Sequence, residues 1–334
     1  MNTNIIKQFD DLINMIKTDI DIQKSNNFVD NSTLFRLKQL KNVLSIIKKY
    51  PDELTLDNLA EFKELPGIGK GTIDRIIEIL KTGHLKEIKK ISKKDQDHEK
   101  IINELENVHG IGRKLAIELY EMGIKSIKDL KEKVNDNVIK VNNTIMKGLL
   151  YHNKIKQKIP RKEIDKYYKY IQKIINNLNK DLNDNNKYIF EICGSYRREN
   201  PTSNDIDIIF SKINAKTESK HLNKIVNSLE PILIDSFITA PYTKKYMGIS
   251  CLGDDYLYRR IDMRFVPYQS YYSALLYFTG SVDLNTNMRK KAKSMGYKLS
   301  EYGLYSDKKL LPVKSEEDIF KLLEMDYLEP SERQ

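Results

Sequence analysis

Residues 188–210 have the sequence YIFEICGSYRRENPTSNDIDIIF, and this stretch decides the fold of the second half of the chain. The runs at its two ends, 188–193 and 206–210, are rich in β-branched and aromatic residues and predict β-strands. Because side chains alternate along a strand, Asp205 and Asp207 should share one face. Two carboxylates held side by side repel each other unless a cation lies between them, which makes this pair a candidate metal site.

A third carboxylate completes the candidate site. Asp262 lies in another alternating run, residues 260–266, which also predicts a strand. Hard carboxylate oxygens suit Mg²⁺, with Mn²⁺ as a substitute. Three such aspartates would hold two ions about 3.5–4 Å apart, an arrangement used for in-line displacement at phosphorus. The Asp-x-Asp pair alone fits a solvated strand face equally well, so the neighbouring residues have to decide.

Those neighbours favour nucleotide chemistry. Gly194 lets the backbone approach a triphosphate closely, and Ser195 can donate a hydrogen bond to it. Arg197 and Arg198 supply charge-stabilising groups beside them. A Gly-Ser step followed by paired aspartates is typical of a nucleotidyltransferase.

The first half of the chain has a helical pattern. Apolar residues recur every three or four positions over residues 12–16 and 37–47. Pro51 ends the second helix, because a proline disfavours helical geometry in the residue before it. The polar stretch 92–99 predicts a linker between two helical modules. The fold class is therefore α+β, with helical modules followed by a domain that has a mixed or mainly antiparallel sheet.

One short motif occurs twice in the helical half. Residues 65–69 (LPGIG) and 108–112 (VHGIG) each precede an apolar-periodic helix, as in the second half of a helix-hairpin-helix. The glycines permit a tight turn that brings backbone N–H groups close to a phosphate, next to a positive helix N-terminus. Lys70, Arg113 and Lys114 lie beside the turns. Two ordinary helix caps are the alternative, but the repetition on a basic chain favours binding of a nucleic-acid backbone.

Composition agrees with a polyanionic partner. The 334 residues include 57 Lys and Arg against 47 Asp and Glu, a formal net charge of +10. No apolar run reaches the length of a membrane span, and the N-terminus lacks the apolar centre of a signal peptide. Cys193 and Cys251, the only cysteines, rule out a disulfide framework. We expect a soluble intracellular protein and leave its compartment open.

The chain resembles the family X DNA polymerases, and among them polymerase beta most of all, over nearly its whole length. The motifs that carry the resemblance keep the family's order and nearly its spacing. They are 65–69, 108–112, 159–163 (IPRKE), 193–198 (CGSYRR), 204–207 (NDID), 260–264 (RIDMR), 277–281 (YFTGS), Asn285, 287–289 (NMR) and 301–302 (EY).

The resemblance implies four domains. They are a helical, lyase-like N-terminal domain with the first hairpin (1–91), a helical DNA-binding subdomain with the second hairpin (92–155), a catalytic nucleotidyltransferase palm (156–268) and a small α+β C-terminal subdomain that selects the nucleotide (269–334).

The resemblance also implies roles for individual residues. Asp205 and Asp207 would bind both metals, and Asp262 would bind the catalytic metal and help activate the primer 3′-hydroxyl. The implied nucleotide-binding residues are Lys158, Arg161, Gly194, Ser195, Arg198, Asn204, Tyr277, Phe278, Gly280 and Asn285. The implied DNA-binding residues are Arg36, Gly67, Gly69, Lys70, Arg75, Gly110, Gly112, Arg113, Arg260 and Arg289. Na⁺ or K⁺ would be held at the hairpins by backbone carbonyls of Lys63, Leu65, Ile68, Glu106, Val108 and Ile111.

Several positions depart from the family pattern. Asn204 replaces a glycine before the first catalytic aspartate, Val282 replaces an acid, and Thr286 replaces a template-stacking lysine. Asn204 could still donate to a phosphate. The changes at Val282 and Thr286 would alter fidelity and gap preference but not the chemistry.

A second family activity, removal of a 5′-deoxyribose phosphate through a lysine Schiff base, is in doubt. Arg75 stands where the lysine is expected, and a guanidinium cannot act as that nucleophile. Arg36 and Gly71 stand at phosphate-pocket positions where lysines are usual. Lysines that could substitute as the nucleophile are Lys63, Lys70 and Lys81.

We therefore expect a template-directed DNA polymerase that fills short gaps in base excision or break repair. Its partners would be gapped or nicked duplex DNA and deoxynucleoside triphosphates, with no membrane, and the chain would act as a monomer. The alternatives are a template-independent nucleotidyltransferase and a catalytically idle scaffold that binds gaps.

Overall fold

The computed structural model describes residues 2–25, 30–88, 93–213 and 220–333. It divides into two compact units. The first comprises Met1–Asn107 with Ile111–Val138, and the second comprises Val108–Gly110 with Ile139–Gln334. The expected boundary at residues 91 and 92 lies outside the described residues, and the division into four domains stays a prediction.

The first unit is helical, as expected. Its helices are α1 (Thr3–Ser25), α2 (Asn31–Lys49), α3 (Leu59–Lys63), α4 (Lys70–Thr82), α5 (Lys93–Glu106), α6 (Arg113–Glu121) and α7 (Ile127–Asn135). The side chain of Asp30 caps α2 by accepting from the backbone N–H groups of Ser32 and Thr33, and the helix ends at Tyr50, before Pro51. Gly83, with φ +80°, ends α4.

The linker expected over residues 92–99 is a wrong prediction from Lys93 onward, because α5 begins there; Ser92 lies outside the described residues. Glu99 is buried in this helix and pairs with Arg113 of α6 at 2.6 Å. A helix with so polar a sequence is stabilised by such a tertiary ion pair, which hydrophobic periodicity does not reveal.

The core of the first unit lies among α1, α2, α3 and α4. It is formed by the apolar stripes that gave the helical pattern, and its most deeply buried members include Phe9, Leu12, Ile47, Phe62 and Ile76. Burying each such side chain stabilises the unit by about 1.5–3 kcal/mol.

The second unit combines helices and strands. Its helices are α8 (Asn143–Tyr151), α9 (Arg161–Asn179), α10 (Gly194–Arg197), α11 (His221–Leu229), α12 (Tyr271–Thr279), α13 (Val282–Ser294) and α14 (Glu316–Leu322). Its strands are β1 (Ile159–Pro160), β2 (Tyr188–Ile192), β3 (Thr202–Ser203), β4 (Ile206–Lys212), β5 (Leu233–Ser236), β6 (Lys245–Ser250), β7 (Arg259–Phe265), β8 (Tyr297–Ser300), β9 (Gly303–Ser306) and β10 (Lys309–Leu310).

The largest sheet has five strands in the order β2-β4-β7-β6-β5. The β4–β7 pair is parallel, and the other pairs are antiparallel. This mixed sheet, which follows the helical N-terminal module along the chain, confirms the α+β fold class. The expected strands at 188–193, 206–210 and 260–266 are β2, β4 and β7, with bounds that differ by no more than two residues.

Both faces of this sheet are covered. On one face, Ile206, Ile208 and Phe210 of β4 pack into a core that includes side chains of α9 and α11. On the other, Ile209 packs with Ala274 and other side chains of α12. Strand alternation places Asp207 on the same side as Ile209, at the start of β4.

The C-terminal part forms a smaller layer. Strands β8, β9 and β10 make an antiparallel sheet, and Met288 of α13, Leu304 of β9 and Phe320 of α14 share its core. Among the described residues, no helix has the length and apolar character that crossing a bilayer requires.

Candidate active site

Three aspartates converge where β4 begins, beside the middle of β7. The parallel register places Asp207 directly opposite Asp262, and Asp205 precedes β4 by one residue. Each of the three offers a carboxylate oxygen, and these oxygens all lie within 4.8 Å of one another. The structure therefore brings together the three aspartates that the sequence predicts as a metal site.

A guanidinium bridges these carboxylates. Arg260, on the same face of β7 as Asp262, donates from Nη2 to Asp205 Oδ2 at 2.5 Å and to Asp262 Oδ2 at 3.1 Å. It was expected to contact DNA, but its side chain is engaged here by the acidic cluster. A cation is thus already favoured at this position.

Charge repulsion in the cluster is strong. Burial, with the neighbouring Asp205 and Asp262 carboxylates, raises the pKa of Asp207 to about 7. Burial likewise raises the pKa of Asp262, although Arg260 opposes the shift. Asp262 Oδ1 is buried with no hydrogen-bond partner among the described residues. A buried unsatisfied acceptor beside two like charges fits a hard divalent cation, which would satisfy the oxygen and remove the repulsion.

We expect Asp207→Asn to stabilise the metal-free protein. The folded-state pKa, about 7, lies above the ordinary 3.8, so this carboxyl reduces stability as the pH rises from about 4 to about 7. In EDTA at pH 8 the variant should gain roughly 1–2 kcal/mol in the free energy of unfolding. Urea denaturation should show the gain shrinking at pH 5, and an equal effect at both pH values would contradict this account.

A tight turn places backbone against the cluster. Gly194, the first residue of α10, follows β2 closely and has φ +59°. A Cβ built on it would lie 2.9 Å from Asp207 Oδ2. Only glycine meets both conditions without strain. Ser195, the next residue, donates its hydroxyl to Ser203 Oγ at 2.8 Å, which fixes its side chain at the edge of the turn.

The two arginines after this turn differ. Arg197 donates to both carboxylate oxygens of Glu316, at 3.0 and 2.6 Å, and to Thr279 Oγ1 at 2.7 Å. Buried Arg333 donates to the same Glu316 at 2.6 Å. Arg197 therefore ties the turn to α12 and α14, and the expectation that it stabilises developing charge is not supported by its contacts. Glu316 was missed from the sequence because its partner is 119 residues away.

Arg198 points toward the YFTGS segment. Its Nη1 donates to the Thr279 carbonyl at 2.5 Å and would lie 3.1 Å from a Cβ at Gly280. Burial lowers the pKa of Arg198, and the Asp207 carboxylate opposes that shift. A guanidinium normally stays charged even so, which leaves a cation between the acidic cluster and Gly280.

Aromatic and amide groups gather at the start of α13. Asn285 is buried and donates from Nδ2 to the Tyr277 carbonyl at 2.7 Å. Arg289 lies over the Tyr277 ring at 5.4 Å and donates to the Asn285 carbonyl at 3.1 Å. Arg264 of β7 lies 5.0 Å from the Phe278 ring centroid. These contacts join the predicted nucleotide-binding residues of α12 and α13 into one surface.

The remaining predicted nucleotide-binding residues lie near the β1–β3 pair. Arg161 donates to the Tyr196 carbonyl at 2.5 Å and stacks on the Tyr196 ring at 4.3 Å. Lys158 and Asn204 have exposed side chains. Their roles stay predictions.

The hairpin glycines have the backbone that the motif requires. Gly67 and Gly110 have φ +95° and +94°. Gly69 and Gly112 are the N-caps of α4 and α6. The Leu65 carbonyl accepts from the Ile68 N–H at 3.1 Å, and the proposed monovalent ion sites stay predictions.

Beside the hairpins, Lys70 is exposed, but Arg113 is not free. Arg113 pairs with Glu99 at 2.6 Å and with Glu106 at 3.0 Å, and these ion pairs join α6 to α5. Its predicted DNA contact would require these ion pairs to rearrange.

Arg36 and Arg75, two of the implied DNA-binding residues, converge on one carboxylate. Glu87 accepts hydrogen bonds from Arg36 and from Arg75. Sequence reasoning missed Glu87, because it lies beyond the end of α4 and 51 residues from Arg36. The side chains of the candidate substitute lysines, Lys63, Lys70 and Lys81, are exposed.

Four protein-family models match successive parts of the chain. They are described as a helix-hairpin-helix domain (residues 2–85), the fingers domain of DNA polymerase lambda (103–156), the DNA polymerase beta palm (158–268) and the DNA polymerase beta thumb (274–334). The palm match spans the acidic cluster and the Gly194 turn. The chain belongs to family X of the DNA polymerases. The expected family is thereby confirmed.

Curated relatives agree with the family. DNA polymerase lambda of Rattus norvegicus is 29% identical over 287 residues, which cover 80% of this chain and 48% of that protein. DNA polymerase lambda of Arabidopsis thaliana is 27% identical over 356 aligned residues, covering 100% and 62%. DNA nucleotidylexotransferase of Xenopus laevis is 26% identical over 330, covering 86% and 62%. The chain thus spans between 48% and 62% of these family X relatives.

Proposed function

We propose that this chain is a template-directed DNA polymerase that fills short gaps during DNA repair. The observation that carries the proposal is the cluster of Asp205, Asp207 and Asp262, with oxygens within 4.8 Å of one another beside the Gly194-Ser195 turn. The names of the family X relatives, DNA polymerase lambda among them, support the same activity.

The aspartates divide the metal-binding work. Asp205 and Asp207 would hold both ions, and Asp262 would hold one of them. Two Mg²⁺ ions, or Mn²⁺ in their place, would supply Lewis-acid stabilisation of the charge that develops at phosphorus. Arg260 donates to Asp205 and Asp262 at 2.5 and 3.1 Å, and it would have to release these carboxylates for ions to be held there.

The surrounding residues hold the triphosphate and the sugar. Ser195 and the Arg198 guanidinium bind phosphate oxygens by charge-assisted hydrogen bonds, with Arg161 or Lys158 adding charge. The nucleotide sugar lies against a surface of α12 and its C-terminal turn, formed by Tyr277, Phe278 and Gly280. The primer 3′-hydroxyl, activated with the help of Asp262, loses its proton to solvent as its oxygen attacks the α-phosphorus. Pyrophosphate leaves with the electrons of the broken P–O bond.

The helical residues hold the DNA. The hairpin turns at Gly67 and Gly110 bind backbone phosphates, with a monovalent ion at each turn. Asn285 and Arg289 face the base pair and the template strand. We further propose that the chain is intracellular and acts as a monomer. The three aspartates of the site all belong to the second unit of a single chain.

Lyase chemistry does not form part of the proposal. Arg75 is held by Glu87 and by the Gly71 carbonyl, at 3.1 Å for the latter. An imine-forming lysine needs partial desolvation to lose its proton near neutral pH, and Lys63, Lys70 and Lys81 are exposed. The chain would bind a gap and leave removal of the sugar phosphate to another enzyme.

A one-nucleotide-gapped duplex tests the proposal. With Mg²⁺ and each nucleotide separately, we expect the primer to grow by one residue with the complementary nucleotide alone. Equal growth of a primer without template would support a template-independent transferase instead. Tight gap binding without incorporation in Mg²⁺ or Mn²⁺ would support the idle scaffold. Borohydride trapping on a 5′-deoxyribose phosphate should give no adduct.

A further inference from the structure

The carboxylate of Glu87 binds two guanidiniums in the first unit. Its Oε2 accepts from Arg36 Nη2 at 2.7 Å and from Arg75 Nη2 at 3.2 Å, and its Oε1 accepts from Arg75 Nε. Arg75 thus forms a bidentate fork, and Arg36 adds a third donor from α2. Guanidinium forks bind carboxylate and phosphate with the same donor geometry, so the same two arginines could bind a phosphate.

The cluster is accessible to a ligand. The side chains of Arg36, Arg75 and Glu87 are 45%, 26% and 30% exposed. Ion pairs in so exposed a setting add little to the stability of a protein. A terminal phosphate, which carries about −1.5 to −2 charge at neutral pH, can therefore compete with the single charge of Glu87.

We propose that Glu87 is a specificity-determining residue that occupies the place of the 5′-phosphate in the DNA-free protein. This inference rests on the proposed gap-filling function. The phosphate on the downstream strand binds Arg36 and Arg75 only by displacing Glu87. The affinity for a 5′-phosphorylated end consequently depends on the exchange of the Glu87 carboxylate for the phosphate. It is weaker than the affinity that Arg36 and Arg75 would give without Glu87.

Glu87 has two opposing effects on phosphate binding: its charge repels the phosphate, and its hydrogen bonds hold the arginines in place. The repulsion is the larger effect. A carboxylate about 4 Å from a phosphate charge repels it by about 1 kcal/mol even in bulk water. Holding an arginine side chain in place also favours binding. Arg75, however, is fixed by the Gly71 carbonyl at 3.1 Å as well, so that Glu87 alone orders only Arg36. Neutralising Glu87 should strengthen phosphate binding.

The test measures how strongly a downstream 5′-phosphate is preferred over a 5′-hydroxyl. Full-length protein is titrated by fluorescence anisotropy with one-nucleotide-gapped duplexes of each kind, without nucleotide. Glu87→Gln should raise the ratio of the two Kd values about 5- to 10-fold over wild type. Glu87→Ser should act in the same direction. Glu61→Gln, which removes one charge from exposed α3, should leave the ratio unchanged.

Two further variants close the cycle. Arg36→Ala with Arg75→Ala should abolish the preference whether residue 87 is Glu or Gln. An unchanged or smaller ratio in Glu87→Gln would overturn the inference while leaving gap filling intact. If wild type binds gapped duplex no better than intact duplex, the proposed function itself fails, and the two failures are distinguishable.

Discussion

Asp262→Asn should lower the rate of nucleotide incorporation by about 1000-fold or more, with gapped-DNA binding held within about twofold. Asp262 Oδ1 is buried without a hydrogen-bond partner among the described residues, and Oδ2 accepts only a 3.1 Å contact from Arg260. The carboxylate is therefore placed for a cation and not for the stability of β7. An asparagine keeps the shape but loses the charge and one ligand oxygen, so the metal nearest the primer binds poorly.

Single-turnover extension of a gapped duplex measures the loss, and anisotropy measures DNA binding. Asp235→Asn is a matched control, because Asp235 belongs to the same sheet and pairs with Lys147 at 2.6 Å. That variant also breaks an aspartate–cation pair, yet it should incorporate nucleotide within a fewfold of wild type. Incorporation by Asp262→Asn within tenfold of the control would remove Asp262 from the catalytic set.

Binding of Mn²⁺ provides a readout that does not depend on catalysis. Electron paramagnetic resonance of free Mn²⁺ should show weaker uptake by Asp262→Asn than by wild type, because a third of the carboxylate set is lost. Equal uptake would mean that Asp205 and Asp207 alone hold the ions.

The site could be foreseen from sequence where its chemistry is local. Alternation along one strand places Asp205 and Asp207 on the same face, and the same rule selects Asp262 from its own strand. What local patterns do not contain is the pairing of strands. The parallel register that sets Asp207 opposite Asp262 is a long-range choice, made by burial of the sheet's apolar faces.

Long-range ion pairs were missed for the same reason. Glu87 and Arg36 are 51 residues apart, and Glu316 and Arg197 are 119 apart. Nothing in the periodicity near Glu316 distinguishes it from an exposed helix-start glutamate. These contacts decide which of the predicted arginines already pair with a carboxylate of the protein. The residue types therefore identified the chemistry, whereas the pairing of residues required the fold.

Gly194→Ala should lower kcat/KM about 10-fold or more, through geometry and not through unfolding. The added Cβ would lie 2.9 Å from Asp207 Oδ2, a distance that forces the carboxylate to move. Each of the Asp205 and Asp262 carboxylates has an oxygen within 4.8 Å of an Asp207 oxygen. A shift of a few tenths of an ångström therefore changes the distances among all the proposed ligand oxygens, and misplacement on an ångström scale costs about 100-fold in rate.

A matched glycine separates this effect from backbone strain. Gly296 has φ +78°, near the +59° of Gly194, but no atom of the described residues lies within 4 Å of a Cβ built there. Both alanine variants should lose about 1 kcal/mol of stability from the left-handed backbone. Thermal denaturation should therefore show similar losses, while primer extension should fall only in Gly194→Ala. An equal loss of activity in both would mean that strain, and not contact with Asp207, governs the turn.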